Sequence, residues 1–222
     1  WSWSVLMADL DNDRWKDLYI TNGIIRRPNN LDYLNFIASK KVQERATDLE
    51  LASQMPNGKV ANYLYQNTGT FPLEDKSNSW LNARPSYSNG AALADLDNDG
   101  DLDLVTNNLN ETAFLHRNLA SEQSGQHYLQ VSLRGKDRNP FAIGAKVEVW
   151  TADQSQLQYL SPVRGFQSSQ GYRLHFGLAT ADRVDSLRVT WPDGTQTLQK
   201  GIPADQHLII RAANDQMVTT AN

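Results

Sequence analysis

Two nine-residue stretches alternate carboxylates with other residues: Asp9-Leu10-Asp11-Asn12-Asp13-Arg14-Trp15-Lys16-Asp17 and Asp95-Leu96-Asp97-Asn98-Asp99-Gly100-Asp101-Leu102-Asp103. Each puts aspartates at loop positions 1, 3, 5 and 9. A tightly curled backbone with that spacing points all four at one centre, where a hard cation takes six to eight oxygens. Without a cation, four like charges so close repel one another. The chemistry expected is calcium binding. Asp9, Asp11, Asp13 and Asp17, with the main-chain carbonyl of Trp15, are the candidate ligands of one loop. Asp95, Asp97, Asp99 and Asp103, with the carbonyl of Asp101, are those of the other. A solvated acidic turn is the plain alternative, but a chance run does not alternate in this way and then recur. An EF-hand is argued against by loop position 12, which needs a bidentate Glu between two helices and is here Ile20 or Thr106.

The elements that must position these loops read as strands. Ser4–Ala8 with Leu18–Thr21, and Ala91–Ala94 with Leu104–Thr106, are short, apolar and partly β-branched. Residues 7–22 laid over 93–108 agree at nine of sixteen positions, 86 residues apart. A second echo pairs Tyr63-Leu64-Tyr65-Gln66-Asn67 with Phe114-Leu115-His116-Arg117-Asn118, 51 residues apart. The difference of 35 marks an insertion in the first repeat, and self-similar strand units point to a propeller or other repeat architecture. The middle of the insertion, Leu31 to Gln54, lacks Gly and Pro and predicts helix, in one piece or two. Asn29 or Asn30 is its cap, and Met55-Pro56-Asn57-Gly58 ends it. Packing on the side of a blade is expected of it, with a partner surface as the alternative.

Ala94-Asp95-Leu96-Asp97-Asn98-Asp99-Gly100-Asp101-Leu102-Asp103-Leu104 and its echo at 8–18 resemble the FG-GAP/VCBS repeats of integrin-type β-propellers, as does Asn62-Tyr63-Leu64-Tyr65-Gln66-Asn67 with Gly69 and Phe71. The resemblance implies four-stranded blades with calcium held in a hairpin loop. Arg14 stands where the repeat has Gly and where Gly100 stands in the second loop. Glycine tolerates positive φ at such a turn and arginine does not readily, so the first loop is expected to be strained or the weaker binder.

From Gln126 the texture changes to short alternating strands: 127–134, 146–151, 157–160, 172–176, 186–191, 195–198 and 207–211. Seven strands in about 87 residues suggest a β-sandwich. Asn139-Pro140-Phe141-Ala142-Ile143-Gly144-Ala145-Lys146-Val147, Gly165-Phe166-Gln167-Ser168-Ser169-Gln170, His175-Phe176-Gly177-Leu178 and Val189-Thr190-Trp191-Pro192-Asp193-Gly194 are similar, in order, to the ASPIC/UnbV domain. That domain closes many secreted VCBS proteins, the cartilage acidic protein family among them. The fold expected is mainly β: partial β-propeller-type repeats over 1–125 with a helical insertion at about 25–59, then a β-sandwich over 126–222.

The 222 residues carry no cysteine, so calcium is the cross-link available if the protein is exported. No run approaches the ~20 apolar residues of a membrane helix. The net charge of −4 misleads, because nine of the 25 acidic residues lie in the two loops and 16 remain against 21 basic ones. The basic residues are scattered and form no nucleic-acid patch. The chain opens at Trp1 in strand-like sequence, as a fragment or processed form would. Propellers close with four to eight blades, so further repeats are expected upstream unless this is an open remnant.

Catalytic constellations are not expected. His116, His127, His175 and His207 fall on separate strands without zinc spacing and read as structural. Gly165-Phe166-Gln167-Ser168-Ser169 is not a nucleophile elbow, and Asp182 with Asp185 reads as a solvated loop. Trp150 and Trp191 belong to a core. Trp15 and Trp80 could be sugar-stacking platforms or edge packing. The function expected is a calcium-binding module for extracellular interaction or cell adhesion, secreted or at the cell surface, with a protein or glycan ligand and no enzyme activity. A glycan-binding accessory domain of a polysaccharide-processing system is the alternative.

Overall fold

The structure, a computed structural model, describes residues 1–136 and 138–212. The expected C-terminal segment runs to 222, so its residues 137 and 213–222 lie outside the described residues. The described chain is mainly β, as expected, with several separate sheets and no closed propeller ring.

The first repeat starts with a hairpin of β1 (Ser2–Ala8) and β2 (Asp17–Asn22). The insertion follows as α1 (Leu31–Ile37), α2 (Lys40–Gln43) and α3 (Asp48–Gln54). Then β3 (Tyr63–Gln66) and β4 (Glu74–Asp75) complete a sheet in the order β1-β2-β3-β4, and α4 (Ser77–Leu81) leads out of it. The second repeat is a three-stranded sheet of β5 (Ser88–Ala94), β6 (Asp103–Asn108) and β7 (Phe114–His116). The register repeats as the sequence does. Ala8 faces Asp17 and Ala94 faces Asp103, and both hairpins shift register at the same place, before Val5 and before Ala91. The repetition thus extends beyond 7–22: the Ser2 hydroxyl donates to Asn22, and that of Ser88 to Asn108.

The insertion differs from expectation. It is three short helices broken near Ala38 and Glu44, because no single apolar stripe runs through it. Asn30 caps α1 by accepting from the Tyr33 amide, and Thr47 and Glu50 form a reciprocal capping box on α3. Most of the apolar surface of these helices is left uncovered. Leu31, Leu34, Phe36 and Leu49 are exposed, and of the apolar residues of α1 and α3 only Tyr33 is buried. Backbone bonds from Ile24 to Gly58 and from Arg27 to Pro56 close its base.

After α5 (Ala120–Gln123), seven strands follow: β8 (His127–Arg134), β9 (Lys146–Trp150), β10 (Ser155–Tyr159), β11 (Arg173–Ala179), β12 (Arg183–Thr190), β13 (Gln196–Pro203) and β14 (Gln206–Arg211). They form two sheets, β10-β9-β12-β13 and β11-β8-β14, the last pair parallel. Period-two alternation supplies one face of each to a common core. Leu129, Val131, Phe176 and Leu178 come from one sheet, and Val147, Val149, Leu187 and Val189 from the other. That core holds 17 buried apolar residues, against eight in the core of the two repeats. The repeats instead bury a polar ladder in which Tyr19 meets Thr106 and Asn62 donates to Ser88.

Both Asp hairpins turn with the same backbone signature. Asn12 and Asn98 have φ of 62° and 60°, and Arg14 and Gly100 have φ of 84° and 96°. Arg14 therefore enters the left-handed region rather than opening the turn. It is steadied there by its ion pair with Asp153, at 2.7 Å.

Three outcomes are expected from this fold. Residues 126–212 expressed alone should melt cooperatively, at one temperature with or without chelator, because their core comes entirely from within that span; a disordered spectrum would overturn this. Phe176→Ala should cost about 3–5 kcal/mol in urea unfolding. Arg14→Gly should stabilise by up to about 1 kcal/mol by removing left-handed strain, since the ion pair with exposed Asp153 is worth less. Arg14→Ala, which keeps the strain, should not stabilise.

Candidate metal centre

The loops are curled by their own carboxylates. Asp9 Oδ2 accepts from the Arg14 amide, as Asp95 Oδ2 does from Gly100. Asp17 Oδ2 accepts from Leu10, as Asp103 Oδ2 does from Leu96. Three ligand atoms converge within 4.8 Å of one another in each loop: those of Asp9, Asp11 and Asp17 in the first, and of Asp95, Asp97 and Asp99 in the second. The remaining predicted ligands are placed otherwise. Asp13 Oδ1 accepts from the Trp15 amide. Asp103 is buried, with both oxygens taken by backbone amides of Leu96 and Asn118. Asp101, expected to offer only its carbonyl, has a buried side chain with Oδ2 on the Ser121 amide.

Among the described residues, four buried carboxylate oxygens have no hydrogen-bond partner: Asp9 Oδ1, Asp95 Oδ1, Asp99 Oδ2 and Asp101 Oδ1. A buried charged oxygen without a partner is costly. Burial accordingly pushes the carboxyl of Asp9 up to about 7 and that of Asp17 up to about 8. It pushes Asp13 and Asp101 up to about 6. Such a donor set, all oxygen and short of positive charge, fits a hard divalent cation. Lys16, behind the first loop, is itself driven by burial below its ordinary value, and its charge is the chief influence that opposes the effect of burial on Asp9.

The second echo of the sequence is the clasp of these loops, a role its spacing did not disclose. Asn67 and Asn118 each donate a backbone amide to the ninth-position aspartate, Asp17 or Asp103. Their side-chain amides hold the carbonyls of Lys16 and Leu102. One position earlier the repeats diverge. Gln66 donates to Asp11 at 2.6 Å, whereas Arg117 sits 2.7 Å from Asp97 and 3.6 Å from Asp99. Burial works the other way, but the Arg117 hydrogen bond and charge hold Asp97 below its ordinary value. A ranking of the loops by Arg14 alone is therefore incomplete, because a guanidinium already occupies part of the second.

The two loops touch each other and the C-terminal sheets. Asn12 Nδ2 donates to Gly100 O, and Asn118 Nδ2 to Leu10 O. From β11, His175 Nε2 lies 2.7 Å from Asn12 Oδ1, and the Ala179 amide donates to Asn12 O. From β8, Gln130 Nε2 donates to Asp95 Oδ2 at 2.6 Å. His175 is buried, and burial drives it down to about 3, so it is a neutral packing group as expected. His127 pairs with Asp205, His207 with Ser132, and His116 is half-buried; no two of the four share a site. Trp15 covers Gly69 and Trp80 rims a cavity of about 480 Å³, both rings partly exposed. A separate cleft of about 700 Å³ lies between the repeats and the hairpin around Phe166, whose ring meets Trp3 at 4.7 Å.

Two family models match parts of the chain. The FG-GAP-like repeat model matches residues 47–106, and the ASPIC and UnbV model matches 135–217. Cartilage acidic protein 1 of Xenopus tropicalis is 34% identical over 108 residues, which cover 47% of this chain. The matched stretch is only 16% of that protein's length. The chain thus matches, in succession, the FG-GAP-like repeat and the ASPIC and UnbV models, and over part of its length it is similar to cartilage acidic protein 1.

Proposed function

We propose that the chain is a calcium-stabilised extracellular interaction module without turnover of its own. The four unpartnered, buried carboxylate oxygens at the two loops carry this reading. Asp9, Asp11 and Asp17 would hold one ion and Asp95, Asp97 and Asp99 the other. Asp13, Asp99, Asp101 and Asp103, and the carbonyls of Trp15 and Asp101, lie on the same turns. A bound ion supplies positive charge and a geometric clamp. In this reading the two repeat sheets are blades of a partial propeller over 1–125, and the segment from 126 is a β-sandwich. A secreted or cell-surface setting is favoured by the similarity to a protein named for cartilage. No described helix is long and apolar enough to cross a membrane.

A non-catalytic role is supported by access. A catalytic ion keeps an open position facing a cleft with an acid or base beside it. Here Lys16 is half-buried and His175 is buried behind the loops, and the cavity that reaches Asp11 offers only His116, which burial holds below its ordinary value. A second reading, glycan binding, is favoured by the cleft at Phe166. It combines the rings of Trp3, Tyr87 and Phe166 with the amides of Asn89, Asn107 and Gln167, the mix of stacking face and polar groups that suits a neutral sugar.

Calorimetry should find calcium sites with Kd of about 10⁻⁴–10⁻³ M. At ten times Kd each site adds about 1.4 kcal/mol to stability, and Asp11→Ala and Asp97→Ala should each remove one. A chain that binds no calcium would end this reading. Arg117→Gln, which copies Gln66 of the first repeat, should tighten the second loop several-fold at low salt, because a cation need not compete with the guanidinium; unchanged affinity would overturn that. Glycoside, ester and phosphodiester substrates should show no turnover with calcium or chelator. Calcium-dependent hydrolysis lost in Asp97→Ala with the fold intact would sink the module reading, and quenching of tryptophan fluorescence by an oligosaccharide, lost in Trp3→Ala, would favour the glycan reading.

A further inference from the structure

We propose that the C-terminal sheets complete the two cation loops, with Gln130 as a positioning residue of the second and the Gly177–Ala179 stretch of β11 as the seat of the first. Cation binding and docking of those sheets then stabilise each other. This rests on the reading of the Asp loops as calcium sites.

Gln130 is 2% exposed, and its side chain reaches out of β8 toward the second loop. Its amide takes Asp95 Oδ2, while Asp95 Oδ1 stays buried without a partner. The amide thereby fixes the rotation of the carboxylate and leaves the other oxygen free to ligate. Outer partners of this kind orient first ligands elsewhere, and their loss typically weakens metal binding 10–100-fold. Gln130 is itself held: Arg173 Nη1 donates to its Oε1 at 3.0 Å and also reaches Asn98 Oδ1 at 3.3 Å. The ring of Tyr128 lies against Gly100 so closely that a Cβ there would stand 1.9 Å from Tyr128 Cε1.

At the first loop the contact is backbone on backbone. The Ala179 amide donates to Asn12 O at 2.8 Å. A Cβ on Gly177 would stand 2.0 Å from Asp9 Oδ2 and 2.7 Å from the Asn12 backbone. These surfaces exist only while the loop is curled. Asn12 and Asn98 offer their side chains from left-handed turns, and curling brings the carboxylates together, which their repulsion opposes. A cation that relieves the repulsion therefore builds the docking surface. By reciprocity, docked sheets must raise the affinity for the cation by the same factor.

The test uses the full chain and calcium alone. Calorimetry on Gln130→Leu should show one site weakened about 10–100-fold and the other unchanged. Gly177→Ala should weaken chiefly the first-loop site, the one lost in Asp11→Ala. In the unaltered chain, hydrogen exchange at the Ala179 amide should be slower with calcium than with chelator, which decides the matter if either variant fails to fold. Calcium binding that is the same in Gln130→Leu, with Ala179 exchange indifferent to calcium, would overturn the inference and leave the calcium sites standing. No calcium binding by the unaltered chain would remove the calcium reading and this inference with it.

Discussion

Crowded, buried negative charge is the constraint on which the rest of this structure depends. Two hairpin turns carry Asp9, Asp17, Asp101 and Asp103 at or near zero exposure, and one oxygen each of Asp9 and Asp101 faces no donor. In water such carboxylates would be ionised and apart. Here backbone amides curl the loops, the clasps at Asn67 and Asn118 hold them shut, and the C-terminal sheets exclude solvent from above. Both oxygens of Asp17 and of Asp103 are satisfied in this way, while Asp9, Asp95 and Asp101 each keep one buried oxygen without a hydrogen-bond donor. A partly satisfied buried polar cluster is worse than an apolar core unless something fills the remainder.

The two halves meet that constraint with unequal resources. The seven C-terminal strands bury 17 apolar residues in one core, enough to stand without help. The repeats bury eight and make up the interior with Ser, Thr and Asn hydroxyls and amides that must all find partners. Small apolar cores leave stability marginal, so the repeats lean on their loops and on the neighbour that covers them. The glycines at this junction follow from the same crowding. Gly100 and Gly177 sit where any side chain would collide with Tyr128 or Asp9, and at Gly177 the reason is proximity, since its φ is not left-handed.

Much of this was legible in the chain. Alternation located all seven C-terminal strands to within a few residues, because each strand is buried on one face. The offsets of 86 and 51 located the repeats, and the strand pairings keep the same offsets in their register. The insertion was legible only as helix-forming sequence: where three short helices break depends on caps at Asn30 and Thr47, and their exposed apolar residues cannot be told from buried ones by type. At the loops, aspartate spacing located the centre but not the division of labour. Asp103 serves the backbone instead, and Asp101 contributes a buried carboxylate, because the crossing segment at Ser121 comes from outside the motif. Gln130 and Gly177 carry no local signal at all. A glutamine in an alternating strand and a glycine in an apolar one gain meaning only when the fold lays them on a loop more than thirty residues away in one case and more than 160 in the other.

The departure of the first loop from the repeat pattern is answered within the fold. Arginine at a left-handed position is unfavourable by itself, yet Arg14 turns as Gly100 does and spends its side chain on Asp153, from the loop joining β9 to β10. The second loop, free of that strain, instead admits Arg117 onto Asp97 and Asp99. The loops thus carry guanidinium at different places: Arg14 braces the first turn against Asp153, while Arg117 on Asp97 and Arg173 at 3.9 Å from Asp95 stand beside the carboxylates of the second. Identical aspartate spacing consequently does not imply identical sites: the loops differ in what already neutralises them, and that difference is set by residues outside the repeated ligands.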